Sequence, residues 1–179
     1  MTIGVFGTWR ATQGDLIYQL AVEYGHALGT AGYRVLTGGY SGVMEASCRG
    51  AVESGGETIG VTCPELDRFL PVNPWVTEEI KARDIQERLA ICLRRIDAAL
   101  FFPGRSGTMT ELSFALELRE KGTLLHPVFL SCDFWDDVLR SHSAVNARMA
   151  YPKSDSQGGL LFLHCSGPVD LLTRLVAIQ

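Results

Sequence analysis

The sequence carries no excess of basic residues. Sixteen Lys and Arg against 20 Asp and Glu leave a formal net charge of −4, whereas a protein that meets the phosphate backbone of a nucleic acid needs a basic face. Composition therefore argues against nucleic-acid binding. No apolar run approaches the roughly 20 residues of a membrane-spanning helix, and Met1 leads straight into Ile3-Gly4-Val5-Phe6 with no basic leader. Neither secretion nor membrane insertion is expected, and the expected location is the cytoplasm. Cys48, Cys63, Cys92, Cys132 and Cys165 are odd in number and contain no CxxC pair, which predicts reduced core thiols rather than a disulfide framework. His26, His126, His142 and His164 are scattered and form no metal triad. No metal and no cofactor is expected. The segment Gly7-Thr8-Trp9-Arg10 lacks the GxGxxG spacing of dinucleotide sites, and no acid closes the second strand; both absences speak against a classical NAD enzyme. Linkers, repeats and low-complexity segments are missing too, so residues 1–179 read as one domain.

What is present alternates. Strand-length apolar runs recur at Thr2–Phe6, Arg34–Leu36, Thr58–Val61, Ala98–Phe102, Pro127–Leu130 and Leu160–Leu163. Helix-period segments fall between and after them, at Asp15–Gly29, Gly42–Ser54, Ala82–Ile96, Thr108–Lys121, from Asp133 onward, and at Val169–Ile178. Short buried strands alternating with helices call for a mainly parallel sheet covered on both faces, a Rossmann-like three-layer α/β sandwich. Ligands in such sheets sit beyond the carboxyl ends of the strands, which points to the loops after Phe6, Leu36 and Phe102. The irregular stretches Cys63–Pro74, with three prolines, and Tyr151–Gly159 are long loops. The first is placed as a flap over the strand ends.

Two of those loops are glycine-rich. Phe102-Pro103-Gly104-Arg105-Ser106-Gly107-Thr108-Met109-Thr110-Glu111 ends a strand, turns and opens a helix, the arrangement in which backbone N–H groups bind a phosphate. Glu111 in that run either complements the helix dipole or does chemistry on a phosphorylated ligand. Thr37-Gly38-Gly39-Tyr40-Ser41-Gly42-Val43-Met44-Glu45 makes a tight turn after the second strand. Upstream of the Pro103 loop lies Arg83-Asp84-Ile85-Gln86-Glu87-Arg88-Leu89; Glu87 is read as pairing locally, and Arg94 and Arg95 as a solvated face. Among the aromatics, Trp75, Trp135, Phe134 and Phe69 belong either to the core or to a base pocket, and Trp9 is placed best to stack on a base.

These residues resemble the LOG proteins, cytokinin riboside 5'-monophosphate phosphoribohydrolases often mislabelled lysine decarboxylases. Their PGGxGTxxE hallmark is similar to Pro103–Glu111 at every defined position but one. Their ERK element resembles Glu87-Arg88-Leu89, their GGGxxGLM turn resembles Gly38–Met44, and their GGxxIGV strand resembles Gly55–Val61. The resemblance also includes Val5-Phe6-Gly7-Thr8 and fades beyond about residue 130. It implies Arg88 and Glu111 as catalytic residues. It also implies a phosphate and nucleotide site from Gly7, Thr8, Gly38, Gly39, Gly42, Met44, Gly104, Arg105, Ser106, Gly107 and Thr108. The implied reaction releases a free base and ribose 5-phosphate from a nucleoside 5'-monophosphate. Within it, Glu111 would stabilise the developing oxocarbenium charge and activate water, and Arg88 would orient Glu111 by a bidentate pair. A small phosphorylated ligand is the implied partner, and a homodimer or higher homo-oligomer the implied assembly. The apolar positions Leu112, Ala115, Leu116 and Leu118 exceed a narrow stripe and suggest subunit contact by the same helix.

Three positions depart from the family pattern. Arg105 replaces the second glycine of PGG, Leu89 replaces the lysine after the arginine, and Tyr40 replaces the third glycine of the earlier turn. The molybdenum-cofactor carrier proteins, which bind a phosphorylated pterin, share the fold and glycine-rich turns and supply a non-catalytic alternative. The DNA-processing protein A family supplies a remote one, set against the acidic composition. Glu111 favours the hydrolase, because a carrier needs no carboxylate beside C1'.

Overall fold

The computed structural model describes residues 1–124, 128–148 and 161–177. Seven strands form a single, wholly parallel sheet: β1 (Thr2–Phe6), β2 (Arg34–Thr37), β3 (Thr58–Thr62), β4 (Glu78–Lys81), β5 (Ala98–Phe101), β6 (Val128–Leu130) and β7 (Phe162–His164), in the order β4-β3-β2-β1-β5-β6-β7. The helices are α1 (Leu16–Thr30), α2 (Val43–Glu53), α3 (Pro64–Asp67), α4 (Ile85–Arg94), α5 (Ser106–Glu120), α6 (Asp136–Arg148) and α7 (Pro168–Ala177), with a 3-10 turn at Asp133–Trp135. This is the three-layer Rossmann-like sandwich expected from the sequence.

The two-residue period of a strand divides the core. Ile3 and Val5 of β1, with Ala98 and Leu100 of β5, face a cluster completed by Tyr18, Tyr24 and Leu28 of α1, Val43 and Ala46 of α2, and Leu171 and Leu175 of α7. Phe6, Ala99 and Phe101 face the other side, against Cys92 and Leu93 of α4, Leu112, Ala115 and Leu116 of α5, and Leu139 of α6. Phe6 and Phe101 stack at 5.0 Å between ring centroids. Each large apolar side chain buried this way contributes about 1.5–3 kcal/mol. The strand order reverses direction between β1 and β5, which opens a crevice at their carboxyl ends.

Two elements, β4 and α3, are not expected from the sequence, and two helices, α4 and α5, start elsewhere than expected. Strand β4 is absent from the sequence reading, because Glu-Glu-Ile-Lys is a charged, largely exposed edge strand with no apolar run. Helix α3 lies inside the stretch read as an irregular flap; Pro64 at its first position starts a single turn of four residues. Helix α4 starts later than expected because Asp84 caps it, its carboxylate accepting from Glu87 N–H at 2.7 Å, while the Glu87 carboxylate accepts from Arg83 N–H. Helix α5 starts two residues earlier than expected, which makes Arg105 its N-cap residue. The Tyr151–Gly159 loop, His126 and the outer ends of the expected strands at Pro127 and Leu160 lie outside the described residues, as does Ile178. All five cysteines are free, four of them buried.

Candidate active site

Three loops at the carboxyl ends of β1, β2 and β5 are joined through the backbone. Thr8 N–H donates to the Pro103 carbonyl, and the Thr8 carbonyl accepts from Val43 N–H, each at 2.9 Å. The second bond caps the start of α2 and draws the β2 loop against the β1 loop. Gly42 has φ of +71° and approaches so closely that a Cβ there would lie 2.3 Å from the Thr8 carbonyl oxygen, so glycine is required twice over. Above the loops lies a cleft of about 610 Å³, a size suited to a small ligand.

Part of the cleft lining is the start of α5, an arrangement able to cradle an anion. Arg105, Ser106, Gly107 and Thr108 line the cleft, at the start of a fifteen-residue helix whose N-cap makes no side-chain capping bond. The first-turn N–H groups of a helix have no intrahelical acceptor, and its dipole favours an anion there. A Cβ at Gly107 would meet nothing of the chain within 4 Å; no internal packing demands glycine there, and its missing side chain leaves the cradle open. Arg105 is exposed at the rim, and among the described residues it makes no ion pair. Gly104 sits behind the cradle, where a Cβ would collide with Thr108 Oγ1 at 2.2 Å.

Arg88 and Glu111 meet on the floor. Arg88 is buried on α4, its Nε donating to the Val61 carbonyl at 2.8 Å and its Nη2 to the Gly38 carbonyl at 3.1 Å. Room for that guanidinium exists because residue 38 is glycine: a Cβ there would lie 1.7 Å from Nη2. Only Nη1 faces Glu111, at 3.9 Å from Oε1. The bidentate pair expected from the sequence is therefore not formed; backbone carbonyls occupy the fork, and a single long ion pair remains. Glu111 stands in the second turn of α5, beyond the first-turn positions where a carboxylate complements the dipole. Its side chain keeps 15% of its surface accessible. Burial pushes its carboxyl up to about 7, and the Arg88 cation only partly opposes this.

The apolar part of the lining is made by Trp9, Leu66, Phe69, Leu70 and Ile85. Trp9 and Phe69 thus take the cleft position allowed for them. Trp135 is core instead, its Nε1–H donating to the Phe102 carbonyl at 3.0 Å; Trp75 lies against Arg49, and Phe134 is exposed elsewhere. Tyr40 lines the cleft from beneath.

Of the residues singled out from the sequence, Gly7, Thr8, Gly38, Met44 and Arg105 line the cleft, as do Ser106, Gly107, Thr108, Arg88 and Glu111. Gly39, Gly42 and Gly104 stand behind it and shape the loops. Leu66, Leu70 and Ile85 carry no motif, and only their position in space reveals them. Glu87 pairs with Arg83 at 3.0 Å, and Arg94 and Arg95 are exposed, as read. Leu112, Ala115 and Leu116 are absorbed by the core, and the apolar side chains that α5 leaves outside are Met109 and Phe114. Among the described residues no group of three His, Cys, Asp or Glu side chains is arranged to hold a metal, and no helix is long and apolar enough to cross a membrane.

Known proteins resemble this chain to different depths. The SLOG cluster4 family model matches residues 1–156. Pyrimidine/purine nucleotide 5'-monophosphate nucleosidase of Escherichia coli strain K12 is 33% identical over 117 residues, covering 62% of this chain; the chain spans about a quarter of the length of that relative (25%). The molybdenum cofactor binding protein of Rippkaea orientalis superposes with a TM-score of 0.75 over 99% of this chain and 96% of its own, at 24% identity. The molybdenum cofactor carrier protein of Chlamydomonas reinhardtii superposes with a TM-score of 0.70 over the same shares, also at 24% identity. At those identities the two structures share the fold.

Proposed function

The chain belongs to the SLOG cluster4 family, and from that premise we propose that its cleft hydrolyses the N-glycosidic bond of a nucleoside 5'-monophosphate, yielding a free base and ribose 5-phosphate. The 5'-phosphate rests on the N–H groups of Ser106, Gly107 and Thr108 under the Arg105 cation, the ribose crosses the floor, and the base lies along Trp9 and Phe69. Water attacks C1' as the bond to the base nitrogen breaks; the bonding pair leaves with the base, which takes up a proton. The Glu111 carboxylate accepts the proton of the attacking water and faces the positive charge that grows on C1' and O4'. One water is consumed, and one base and one ribose 5-phosphate leave. Arg88, held by two backbone carbonyls, is a fixed cation that keeps part of the Glu111 population ionised. Phosphate binding far from C1' supplies energy for the step at C1'.

The observation that carries this reading is Glu111: a desolvated carboxyl poised near neutrality, in a cleft beside an anion cradle. A group with its pKa near the working pH suits proton transfer, and burying it without use only costs stability. The nucleosidase relative supports the substrate class. Incubation with AMP, other nucleoside monophosphates and cytokinin riboside monophosphates, assayed for ribose 5-phosphate, tests it. Turnover abolished by Glu111→Gln and weakened by Arg88→Ala is expected; turnover that survives Glu111→Gln would overturn the assigned roles.

One feature favours a second reading, in which the site carries a phosphorylated ligand without hydrolysing it. Arg105 strengthens ground-state binding in a cradle that the LOG pattern keeps free of side chains, and the structural neighbours include molybdenum cofactor carriers. A phosphorylated pterin co-purifying with a protein that turns over no nucleotide would establish that reading. Self-association, implied by the LOG resemblance, is assigned to the α5 face bearing Met109 and Phe114, beside Leu89; light scattering of Phe114→Glu reads it.

A further inference from the structure

We propose that Tyr40 is the positioning residue for the apolar wall: it fastens the segment Cys63–Asn73 at both ends and so presents Leu66, Phe69 and Leu70 to the base of the bound nucleotide. The assignment of the base rests on the function proposed above. The fastening itself rests on geometry alone. Tyr40 is fully buried, and its hydroxyl donates to Asp67 Oδ1 at 2.9 Å while accepting from Cys63 N–H at 2.9 Å. Those bonds hold the start of the segment and the end of α3. The Tyr40 carbonyl accepts from Asn73 Nδ2 at 2.9 Å, and the neighbouring Gly39 carbonyl accepts from Asn73 N–H at 2.9 Å, which holds the far end.

Between these anchors the chain makes local backbone bonds, from Leu66 and Asp67 N–H to the Cys63 carbonyl and from Phe69 and Leu70 N–H to the Leu66 carbonyl, but buries little surface. Phe69 is 80% exposed, and Pro64, Glu65, Arg68, Pro71 and Val72 face solvent. A segment with so few buried contacts opens locally at small cost unless specific bonds restrain it. The Asp67 carboxylate bond is charge-assisted and therefore the strongest of the restraints. The Tyr40 ring also lies 5.5 Å from the Arg88 guanidinium carbon, so one side chain touches both the floor and the support of the wall. Preorganising a recognition surface lowers the ordering cost of binding; here that saving applies to the base and not to the phosphate, which the proposed function places on the Arg105–Thr108 turn.

Tyr40→Phe keeps the ring and removes the hydroxyl bonds, Asp67→Ala removes the acceptor, and Asp67→Asn retains an acceptor oxygen. Amide hydrogen exchange in the ligand-free protein is expected to quicken about tenfold across residues 64–70 in Asp67→Ala, which loses one such bond, and by more than that in Tyr40→Phe, which also loses the bond from Cys63 N–H, with β1 and β5 unchanged. Asp67→Asn, which keeps an acceptor oxygen but loses the charge, is expected to fall between the parent protein and Asp67→Ala. Equilibrium affinity for AMP is expected to fall by up to about tenfold in the first two variants, as the closed fraction of the segment falls, while affinity for ribose 5-phosphate is unchanged. Unchanged exchange at 64–70, or equal losses for AMP and ribose 5-phosphate, would overturn the proposal. Failure of the parent protein to bind AMP would instead refute the proposed function and leave the exchange result to decide the role of Tyr40.

Discussion

Replacing Glu111 by Gln should change how stability depends on pH, and the size of the change follows from burial. The carboxyl is held at about 7 in the fold against an ordinary value of 4.5, a difference worth about 3 kcal/mol at 1.36 kcal/mol per unit. Its sign is the reverse of a salt-bridged carboxylate. The folded state binds the proton more tightly than the unfolded state, so this contribution is fully present below pH 4.5 and is lost as pH rises to about 7. Above that it stays lost. The amide of Gln has no proton to lose and removes this dependence. The difference in unfolding free energy between Glu111→Gln and the parent should therefore shift in favour of the variant by about 3 kcal/mol between pH 4.5 and 7.5. For a domain of this size the corresponding shift in relative Tm is about 6–12 °C. Urea unfolding of both proteins at a series of pH values measures it. A stability difference that is flat from pH 4 to 8 would refute the claim that Glu111 is desolvated and would remove the main support for its catalytic role. The parent's kcat/KM for a nucleoside monophosphate should rise with pH and level off above about 7, because only the carboxylate accepts a proton.

Gly107→Ala should leave Tm unchanged or raise it, since alanine is favoured over glycine in a helix by about 1 kcal/mol and the new methyl meets nothing of the chain; calorimetric titration should nevertheless show ribose 5-phosphate binding weakened, because the methyl enters the cradle. Arg88→Ala should destabilise the protein by about 3 kcal/mol in urea unfolding, as it leaves the Val61 and Gly38 carbonyls without their donor and Glu111 without its cation. Arg88→Lys should recover only part of that, since an ammonium cannot reproduce the fork. Arg105→Gly should cost no stability but weaken ribose 5-phosphate binding by about threefold to tenfold, with a shallower salt dependence, as befits an exposed cation worth about 1 kcal/mol.

Much of the fold was legible because its strands are buried on both faces and read as short apolar runs. Strand β4 escaped for the opposite reason: an edge strand of Glu78, Glu79, Ile80 and Lys81 has no buried face to betray it. The strand-turn-helix at Gly104–Thr108 was legible as well, since a glycine-rich turn between an apolar run and a helical period is a local pattern. The apolar wall was legible only at Trp9 and Phe69. Leu66, Leu70 and Ile85 come from two separate segments, and nothing in their spacing links them. Arg88 illustrates the boundary well. Its presence in the site followed from the motif, yet its partners did not: the carbonyls of Val61 and Gly38 take the donors that the sequence reading assigned to Glu111.

By itself, then, the sequence determined the alternation that makes a parallel sheet and the positions of the glycine-rich turns, because both are local patterns; the contacts that require glycine at Gly38 and Gly42 come from Arg88 and Thr8, far away in the chain. It also identified Glu111 as the carboxylate to explain. The tertiary structure alone decided that this carboxyl is desolvated, that its nearest cation is committed to backbone carbonyls, and that Tyr40 ties a distant segment over the cleft. Burial and long-range hydrogen bonds set a proton affinity and a wall position, and neither exists until segments far apart in the chain are brought together.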